Sequence, residues 1–377
     1  MKYVNFIVGA VGWVQYFMPV AIAAKEKGYQ PIFFLRTNRK SYADPYGGKH
    51  LKEIKNIATE YSILLKDIKE AINFPGLTFL MEGDITGQQP IDYETAGMHY
   101  LKPYHLKVSI NFNADFIWSY PKYVDKMDYI ILPNEIYAKT YRTLSPKNRY
   151  LGSPKFDVEL PSPEDIYKKY GLNPKDKHVL FFYPKKKWWE QSKILNNNKS
   201  RFFELFTYLK KMGFKIIVKT REKDSLIHKL GDYYFEDLKL YPNSSVELLK
   251  VADLSLFFSS TTIEECVLYG CPFIDFKVDP ALDRYVFLNH NAYSRVIEHF
   301  NINFNSFSTI VNGFLNNKDE MQKAFEDTRQ KYLFEMEGLS GRILDQFLEE
   351  GKEKYEQATQ LHQKLLKLKK LQSKKKR

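Results

Sequence analysis

The stretch DLSLFFSSTTIEECVLYGCPFIDFK, residues 253–277, contains two apolar segments separated by a hydroxyl-rich turn and a helical pattern. The apolar segments are nearly continuous, which is typical of strands buried on both faces of a parallel sheet. Gly270 between them predicts the end of a helix. A strand, a helix and a strand in this order predict a parallel α/β fold.

The turn that opens this helix has two interpretations. Its hydroxyl residues are Ser259, Ser260, Thr261 and Thr262. A helix start offers unpaired N–H groups and a positive dipole end, so with these hydroxyls it would bind an anion. Alternatively, Thr261 or Thr262 begins a capping box that Glu264 or Glu265 closes.

The same alternation of strands and helices runs along most of the chain. Strands are predicted at 2–8, 30–36, 77–84, 106–113, 128–134, 178–184, 214–220, 253–260 and 271–277. Helices are predicted at 13–27, 47–60, 64–72, 135–143, 200–213, 244–252 and 261–270, and from 304 to the end. A segment rich in Pro, Gly and Ser at 149–166 predicts a linker. We therefore expect an N-terminal Rossmann-like domain over 1–155, a second one over 156–330 and C-terminal helices over 331–377.

Composition limits the class of protein. A chain of 377 residues with 44% hydrophobic residues has enough apolar material for two cores. The net charge is +12, but eight Lys and Arg lie in residues 364–377, so the remainder carries about +4. This balance argues against a nucleic-acid-binding protein. The apolar N-terminus is interrupted by polar residues and glycines, which favours a cytoplasmic protein without a signal peptide or membrane span.

The chain has two cysteines, and its lysine-rich tail contains regularly spaced leucines. Cys266 and Cys271 have no zinc-site spacing and are predicted to be small buried residues in a reducing compartment. Leu361, Leu365 and Leu368 have helical spacing within the lysine-rich tail. This amphipathic helix would suit peripheral binding to an anionic membrane surface. A frayed end or a homo-oligomer contact is the alternative.

Residues 251–274 resemble two families that have the GT-B architecture. In the CDP-glycerol glycerophosphotransferases a Ser-Ser pair aligns with Ser260 and Thr261, and an acidic residue aligns with Glu265. In the UDP-N-acetylglucosamine 2-epimerases a serine aligns with Ser259 and two acids align with Glu264 and Glu265. The epimerases also have an aspartate, where this chain has phenylalanine, and two glycines that are absent here.

Four further segments extend the resemblance over residues 151–348. They are LGSPKFD at 151–157, HVLFFYPKKKWW at 178–189, KIIVKTRE at 215–222 and GLSGRILDQFL at 338–348. Two of them depart from the phosphotransferase pattern. Lys185 occupies the place of a threonine, and Thr220 and Arg221 replace a His-Pro pair. The two histidine motifs of the phosphotransferases are not matched by spacing.

The resemblance implies a GT-B fold with two Rossmann-like domains facing a central cleft and a helical C-terminal tail. It also implies a UDP- or CDP-linked donor as co-substrate, without another cofactor. The turn at Ser259–Thr262 would hold the diphosphate, and Glu264 or Glu265 would accept the ribose hydroxyls. Lys185, Lys219 and Arg221 would neutralise the leaving diphosphate. The chain contains no Asp-x-Asp sequence, so we expect a metal-independent enzyme.

A catalytic base would come from the N-terminal domain. Candidates at predicted strand ends are Glu82, Asp84, Asp115 and the histidines His99 and His105. Asp84 is the first choice, since EGDITG resembles the Gly-Asp-Thr turn of the epimerases, and His99 is the second.

The predicted function is transfer of a sugar from a nucleotide-sugar donor to a glycan or lipid-linked acceptor. Three alternatives remain open at this point. They are a CDP-glycerol-type polyol phosphate transferase, a UDP-sugar 2-epimerase and a non-catalytic glycan-binding or scaffold protein of the same fold.

Overall fold

A computed structural model describes residues 3–8, 11–35, 49–81, 101, 105–110, 127–140, 144–183, 199–220, 230–236, 244–258, 260–277, 287–298, 300–332 and 336–375. The chain divides into two compact units. The first comprises residues 1–158 and 334–377, and the second comprises residues 159–333.

The first unit is built on a seven-stranded parallel sheet. Its strands are β1 Tyr3–Val8, β2 Gln30–Leu35, β3 Leu64–Asp67, β4 Gly76–Leu80, β5 His105–Ile110, β6 Tyr129–Leu132 and β7 Asn148–Tyr150. They lie in the order β3-β2-β1-β4-β5-β6-β7. The helices α1 Val11–Glu26, α2 Lys49–Glu60 and α3 Glu135–Thr140 belong to the same part of the chain. The central strands are almost wholly buried, as their continuous apolar sequences predict.

The second unit repeats this plan with six parallel strands. They are β8 Lys177–Phe182, β9 Phe214–Thr220, β10 Tyr233–Glu236, β11 Leu254–Phe257, β12 Phe273–Lys277 and β13 Ser294–Glu298. Their order is β10-β9-β8-β11-β12-β13. Its helices are α4 Pro163–Tyr170, α5 Lys199–Lys211, α6 Ser244–Val251, α7 Thr262–Tyr269, α8 Phe304–Asn316 and α9 Lys318–Tyr332. Both sheets therefore have the strand order of a doubly wound Rossmann fold.

The last two helices, α10 Leu339–Glu350 and α11 Lys352–Lys375, return to the first unit. Phe347 of α10 packs its ring 6.2 Å from that of Phe79 on β4 and 5.4 Å from that of Tyr129 on β6. Glu350 accepts hydrogen bonds from the Arg149 guanidinium at 2.6 and 3.0 Å. The C-terminal helices thus complete the core of the N-terminal sheet.

One sequence-based helix assignment was wrong. Residues 64–72 were predicted as a helix, but they form β3 and then a 3-10 helix, Ile68–Asn73. The chain changes conformation at Asp67 because its carboxylate caps that 3-10 helix while Glu70 bonds back to the Asp67 N–H. The predicted linker 149–166 overlaps the end of β7 and the start of α4, and the chain passes from the first unit to the second within it, between residues 158 and 159. The helical region after 304 was predicted correctly.

Candidate functional site

The second sheet has a switch point between β8 and β11. From β8 the chain adds β9 and β10 on one side, and then it returns to add β11, β12 and β13 on the other. Ligands of open α/β sheets bind at such a point, outside the carboxyl ends of the strands. Residues 260–262 lie at this edge, because they follow the end of β11 and begin α7.

Two hydroxyl groups form a pair at the start of α7. The Oγ of Ser260 lies 2.8 Å from the Oγ1 of Thr262, and it accepts the Thr262 N–H at 3.3 Å. Both residues are half-buried, while Thr261 between them is exposed. Hydroxyls donate as well as accept, so this turn can present a hydroxyl donor to an anion at the positive end of the helix dipole. Ser259 lies outside the described residues.

The predicted capping box at this helix is not formed. The N-cap is Thr261, but its side chain makes no capping hydrogen bond, and its φ of −61° and ψ of −11° are already helical. A capping side chain normally acts from an extended backbone. The N–H of Glu264 instead bonds to the backbone oxygen of Thr261 at 3.1 Å. The Ser260 hydroxyl instead accepts an N–H of this first turn, that of Thr262, whereas the Thr262 hydroxyl pairs with Ser260 and caps nothing in the described structure.

Two buried carboxylates follow in the first turn of α7. Glu264 is 2% exposed and Glu265 is 9% exposed. The positive end of the helix dipole favours negative charge at these positions. Because the same charge repels phosphate, a phosphate contact falls to the turn before the helix. Carboxylate oxygens only accept hydrogen bonds when ionised, so these two groups suit the hydroxyls of a ribose or a sugar.

Lys219 lies near the same edge of the sheet, one residue before the end of β9. Its neighbour Val218 belongs to the core cluster that contains the apolar residues of α5, so alternation along the strand turns Lys219 to the other face. Ser255 of β11 is on that other face too, and it lies near Cys266 of α7. With only β8 between them, β9, which carries Lys219, and β11, which leads into α7, are about 10 Å apart across the sheet. The Lys219 side chain is buried. The other predicted cations, Lys185 and Arg221, lie outside the described residues.

Asp275 is a carboxylate at this site that sequence reasoning missed. It is half-buried on β12, directly opposite Phe257 at the end of β11. Burial raises the pKa of the Cys266 thiol well above its usual value, and the charges of Glu265 and Asp275 add to that rise. Both carboxylates therefore lie near the same sulfur. The available signal was an acidic residue inside the apolar run CPFIDFK.

Both cysteines are buried and free, as predicted. Burial raises the pKa of each thiol, so neither is a ready nucleophile at neutral pH.

Two of the segments that carry the family resemblance are in contact in the first unit, although they are far apart in sequence. The carboxylate of Asp157, from LGSPKFD, accepts the Gly338 N–H at 3.1 Å and the Ser340 N–H at 2.5 Å. Gly338 is the N-cap of α10 and lies at the start of GLSGRILDQFL. Asp157 therefore caps this helix, and the two segments fasten the returning C-terminal helices to the N-terminal unit.

Of the five candidate bases, only His105 lies within the described residues. Glu82, Asp84, His99 and Asp115 lie outside the described residues. His105 is described: it lies at a strand end, as the first residue of β5, but this is the amino edge of the sheet and not the carboxyl edge at which ligands of such sheets bind.

His105 is a buried structural residue. Its Nδ1 lies 2.7 Å from the Thr78 Oγ1, and its Nε2 lies 3.0 Å from the Ala71 backbone oxygen. Asn5 donates to the same Thr78 hydroxyl at 3.3 Å. The Ala71 oxygen can only accept, so Nε2 carries the proton and Nδ1 accepts from Thr78. Burial lowers the pKa of His105 to about 3, which keeps the ring neutral.

No group of three or more His, Cys, Asp or Glu side chains in the described ranges is placed to hold a metal ion. Among the helices that the structure describes, none combines the length and apolar content needed to cross a membrane.

No protein-family model and no curated protein sequence matches this chain. Solved structures do match it over nearly its whole length. A proposed UDP-N-acetylglucosamine 2-epimerase from Listeria monocytogenes matches with a TM-score of 0.60 at 11% identity, over 93% of this chain and 97% of that one. A glycosyltransferase from Rickettsia africae matches with a TM-score of 0.55 at 12% identity, over 92% and 98%. The wall teichoic acid polymerase TagF, soaked with CDPG, gives 0.57 at 12% identity, over 93% and 89%.

These matches include both families that residues 151–348 resemble, together with a glycosyltransferase. At such low identity they bear on the fold alone. Both parallel sheets have the Rossmann strand order, and the chain is structurally similar to these proteins along nearly its entire length. These two findings confirm the predicted fold class: the chain has the GT-B fold.

Proposed function

We propose that this chain is a glycosyltransferase that moves a sugar from a nucleotide-sugar donor to a glycan or lipid-linked acceptor without a metal ion. One observation carries the proposal. The hydroxyl-rich start of α7, with its Ser260–Thr262 hydroxyl pair, lies at the switch point of the second sheet, where ligands of open α/β sheets bind.

In this proposal the donor diphosphate binds at the start of α7. The hydroxyl groups of Ser260 and Thr262 donate to phosphate oxygens at the positive end of the helix dipole, and Ser259 and Thr261 belong to the same turn. Glu265 accepts the ribose hydroxyls, with Glu264 beside it. The cations that balance the diphosphate are Lys185, Lys219 and Arg221.

The reaction joins an acceptor oxygen to the anomeric carbon of the sugar. A base takes the proton from the acceptor hydroxyl, and Asp84 is our first candidate for it, with His99 as the second. As the new C–O bond forms, the bond from the anomeric carbon to the diphosphate oxygen breaks, and a nucleoside diphosphate leaves. Charge then develops on that diphosphate, where preorganised hydroxyls and cations stabilise it.

The second candidate is transfer of a polyol phosphate. Its specific support is the structural likeness to TagF, which was soaked with CDPG. In this reaction the acceptor oxygen attacks phosphorus, the bond between the two phosphates breaks, and a nucleoside monophosphate leaves. The two candidates therefore release different nucleotides.

The experiment uses this difference. The full chain is first screened by thermal shift against UDP, GDP, CDP, CMP, dTDP and their sugars, because a ligand at 100 times its dissociation constant stabilises a fold by about 2.7 kcal/mol. The stabilising donor is then incubated with glycan and polyprenyl-phosphate sugar acceptors, and the released nucleotide is quantified. We expect a nucleoside diphosphate whose release depends on the acceptor.

Three other results would overturn the proposal. Release of a nucleoside monophosphate would favour the polyol phosphate transferase. Interconversion of two nucleotide-sugars without an acceptor would favour an epimerase. No stabilisation by any nucleotide would favour the scaffold.

A further inference from the structure

The C-terminal helix α11 packs on the first unit along only its first half. The Tyr355 hydroxyl donates to the Pro75 backbone oxygen at 3.2 Å, and the Lys354 ammonium pairs with Asp128. Among the α11 residues whose side chains the structure describes, His362 is the last buried one. From residue 363 onward every side chain that the structure describes is exposed, although the helix continues to Lys375. A helical segment this short without tertiary contacts is only marginally stable in water.

The unsupported half of α11 and the turn before it expose large apolar side chains. They are Leu361 at 44%, Leu365 at 36%, Leu366 at 40%, Leu368 at 55% and Leu371 at 59%. With about 100° per residue, Leu361, Leu365 and Leu368 fall within an arc of about 60°. Tyr355 and His362, which face the first unit, lie about 110° and about 90° from the middle of that arc, while Lys354, two turns before Leu361, lies within it. The leucine stripe therefore lies to one side of the Tyr355 and His362 contacts and continues the face of Lys354 beyond its ion pair with Asp128.

The charge on this segment restricts what can cover the stripe. The last acidic residue is Glu356, and eight Lys and Arg follow between Lys364 and Arg377. A second copy of the helix would bring two such charges together, so like-charge repulsion opposes self-association. A nucleic acid would match the charge, but it would leave the leucines in water. An anionic lipid surface meets both requirements, since it covers apolar side chains and attracts cations.

We propose that the second half of α11 binds anionic membranes, with the leucine stripe inserted at the interface and the lysines at the level of the lipid headgroups. This property does not depend on the proposed transfer reaction.

The test is co-sedimentation of the full chain with vesicles. One set contains phosphatidylcholine with phosphatidylglycerol, and the other contains phosphatidylcholine alone. We expect binding to the anionic vesicles only, weakened by added salt because the attraction is screened. Changing Lys364→Gln with Lys367→Gln should weaken it at least tenfold, since each cation near such a surface contributes about 1 kcal/mol. Changing Leu361→Gln, Leu365→Gln and Leu368→Gln together should abolish it.

Matched controls exist elsewhere on the surface. Lys52 and Lys55 on α2 are exposed with the same spacing, so Lys52→Gln with Lys55→Gln should bind as the unchanged protein does. Leu51, Leu64 and Leu144 are exposed by 38%, 42% and 60%, and their triple change to Gln should also leave binding intact.

Several outcomes would overturn the proposal. They are equal binding to both kinds of vesicle, binding that survives the leucine changes in α11, and equal losses in the α11 variants and the controls. Dimerisation that the leucine changes abolish, or tight binding of RNA without vesicle binding, would assign the stripe to another partner.

Discussion

At the scale of single residues, the buried polar side chains of this protein differ in whether they have hydrogen-bond partners. His105, Thr78 and Asn5 lie inside the first sheet and are connected by hydrogen bonds that end on the Ala71 oxygen. Buried polar groups are stable only when they are partnered in this way. His178 is a contrast: it is fully buried, and neither of its ring nitrogens has a hydrogen-bond partner among the described residues.

The neutral His105 predicts a loss of stability in acid. In the unfolded chain this residue takes up a proton near its ordinary pKa of 6.5, whereas in the folded protein it does so near 3. The unfolded state therefore binds more protons between these values. The contribution of His105 is complete above about pH 6.5 and declines as the pH falls towards 3. At pH 5 the loss amounts to about 2 kcal/mol.

Urea unfolding of the unchanged protein and of His105→Gln, at pH 7.5 and pH 5, measures this effect. Burial also lowers the pKa of His178, so part of the acid sensitivity remains in the variant. The drop between the two pH values should shrink in His105→Gln. An equal drop in both proteins would contradict the assignment.

Asp157 predicts a second residue-scale effect. The change Asp157→Ala removes the acceptor for two N–H groups at the start of α10, and loss of such a cap costs about 1 kcal/mol. Asp345 lies on the same helix in an exposed ion pair with Lys27. Asp345→Ala should therefore cost less than about 0.5 kcal/mol in the same urea titration. Equal costs would show that Asp157 is not a cap.

At this scale the sequence predicted the kinds of residue in the site better than their roles. Glu264 and Glu265 stood out because two acids follow a hydroxyl-rich turn. Asp275 did not, because one carboxylate in an apolar strand gives no indication of its neighbours. The role of Asp157 depends on atoms more than 180 residues away in sequence.

At the scale of elements, the sequence predicted the central strands and missed the edge strands. Strands β1, β2, β4, β8, β9 and β11 have long apolar runs because they are covered on both faces. The missed strands β3, β7, β10 and β13 all lie at sheet edges. They are short or carry polar residues, as SRVIE in β13 does, so periodicity alone does not identify them.

The junction between α10 and α11 gives an element-scale prediction. A Cβ on Gly351 would overlap the Leu106 side chain of β5 and lie 2.8 Å from the Phe347 backbone oxygen. The change Gly351→Ala should therefore destabilise the first unit by about 1–3 kcal/mol, as overpacking does. A methyl group added at Gly313 inside α8 would meet no described atom within 4 Å, so Gly313→Ala should be neutral or stabilising by up to about 1 kcal/mol. Thermal unfolding of both variants checks this pair, and a tolerated Gly351→Ala would contradict the packing.

At the scale of the whole molecule, the chain crosses to the second unit once and then returns. Hydropathy predicted helices after residue 304, but it could not predict which unit they join, since that depends on contacts such as Phe347 with Phe79. The GT-B fold could be predicted from the sequence, because strands and helices alternate in both halves of the chain and because four segments within 151–348 resemble families with this fold.

Two truncations test the return of the chain. A protein ending at Gln363 loses only the exposed half of α11, so its unfolding midpoint should not change. A protein ending at Tyr332 loses α10 and α11, and the first unit should then lose its cooperative unfolding transition while the second unit keeps its own. Retention of both transitions would mean that the C-terminal helices are dispensable to the first core.

The central claim is that the start of α7 binds the donor diphosphate. Its most direct measurement is calorimetric titration of the nucleotide identified by the thermal screen into three proteins. These are the unchanged chain, Ser260→Ala with Thr262→Ala, and Ser162→Ala. Ser162 is the matched control, because its hydroxyl also accepts an N–H at a helix start, that of Asp165 in α4.

Hydrogen bonds to a charged group contribute about 1.5–3 kcal/mol, so the Ser260/Thr262 variant should bind at least tenfold more weakly. The Ser162→Ala variant should bind as the unchanged chain does. Equal affinity in all three proteins, or no nucleotide binding to the unchanged chain, would contradict the account.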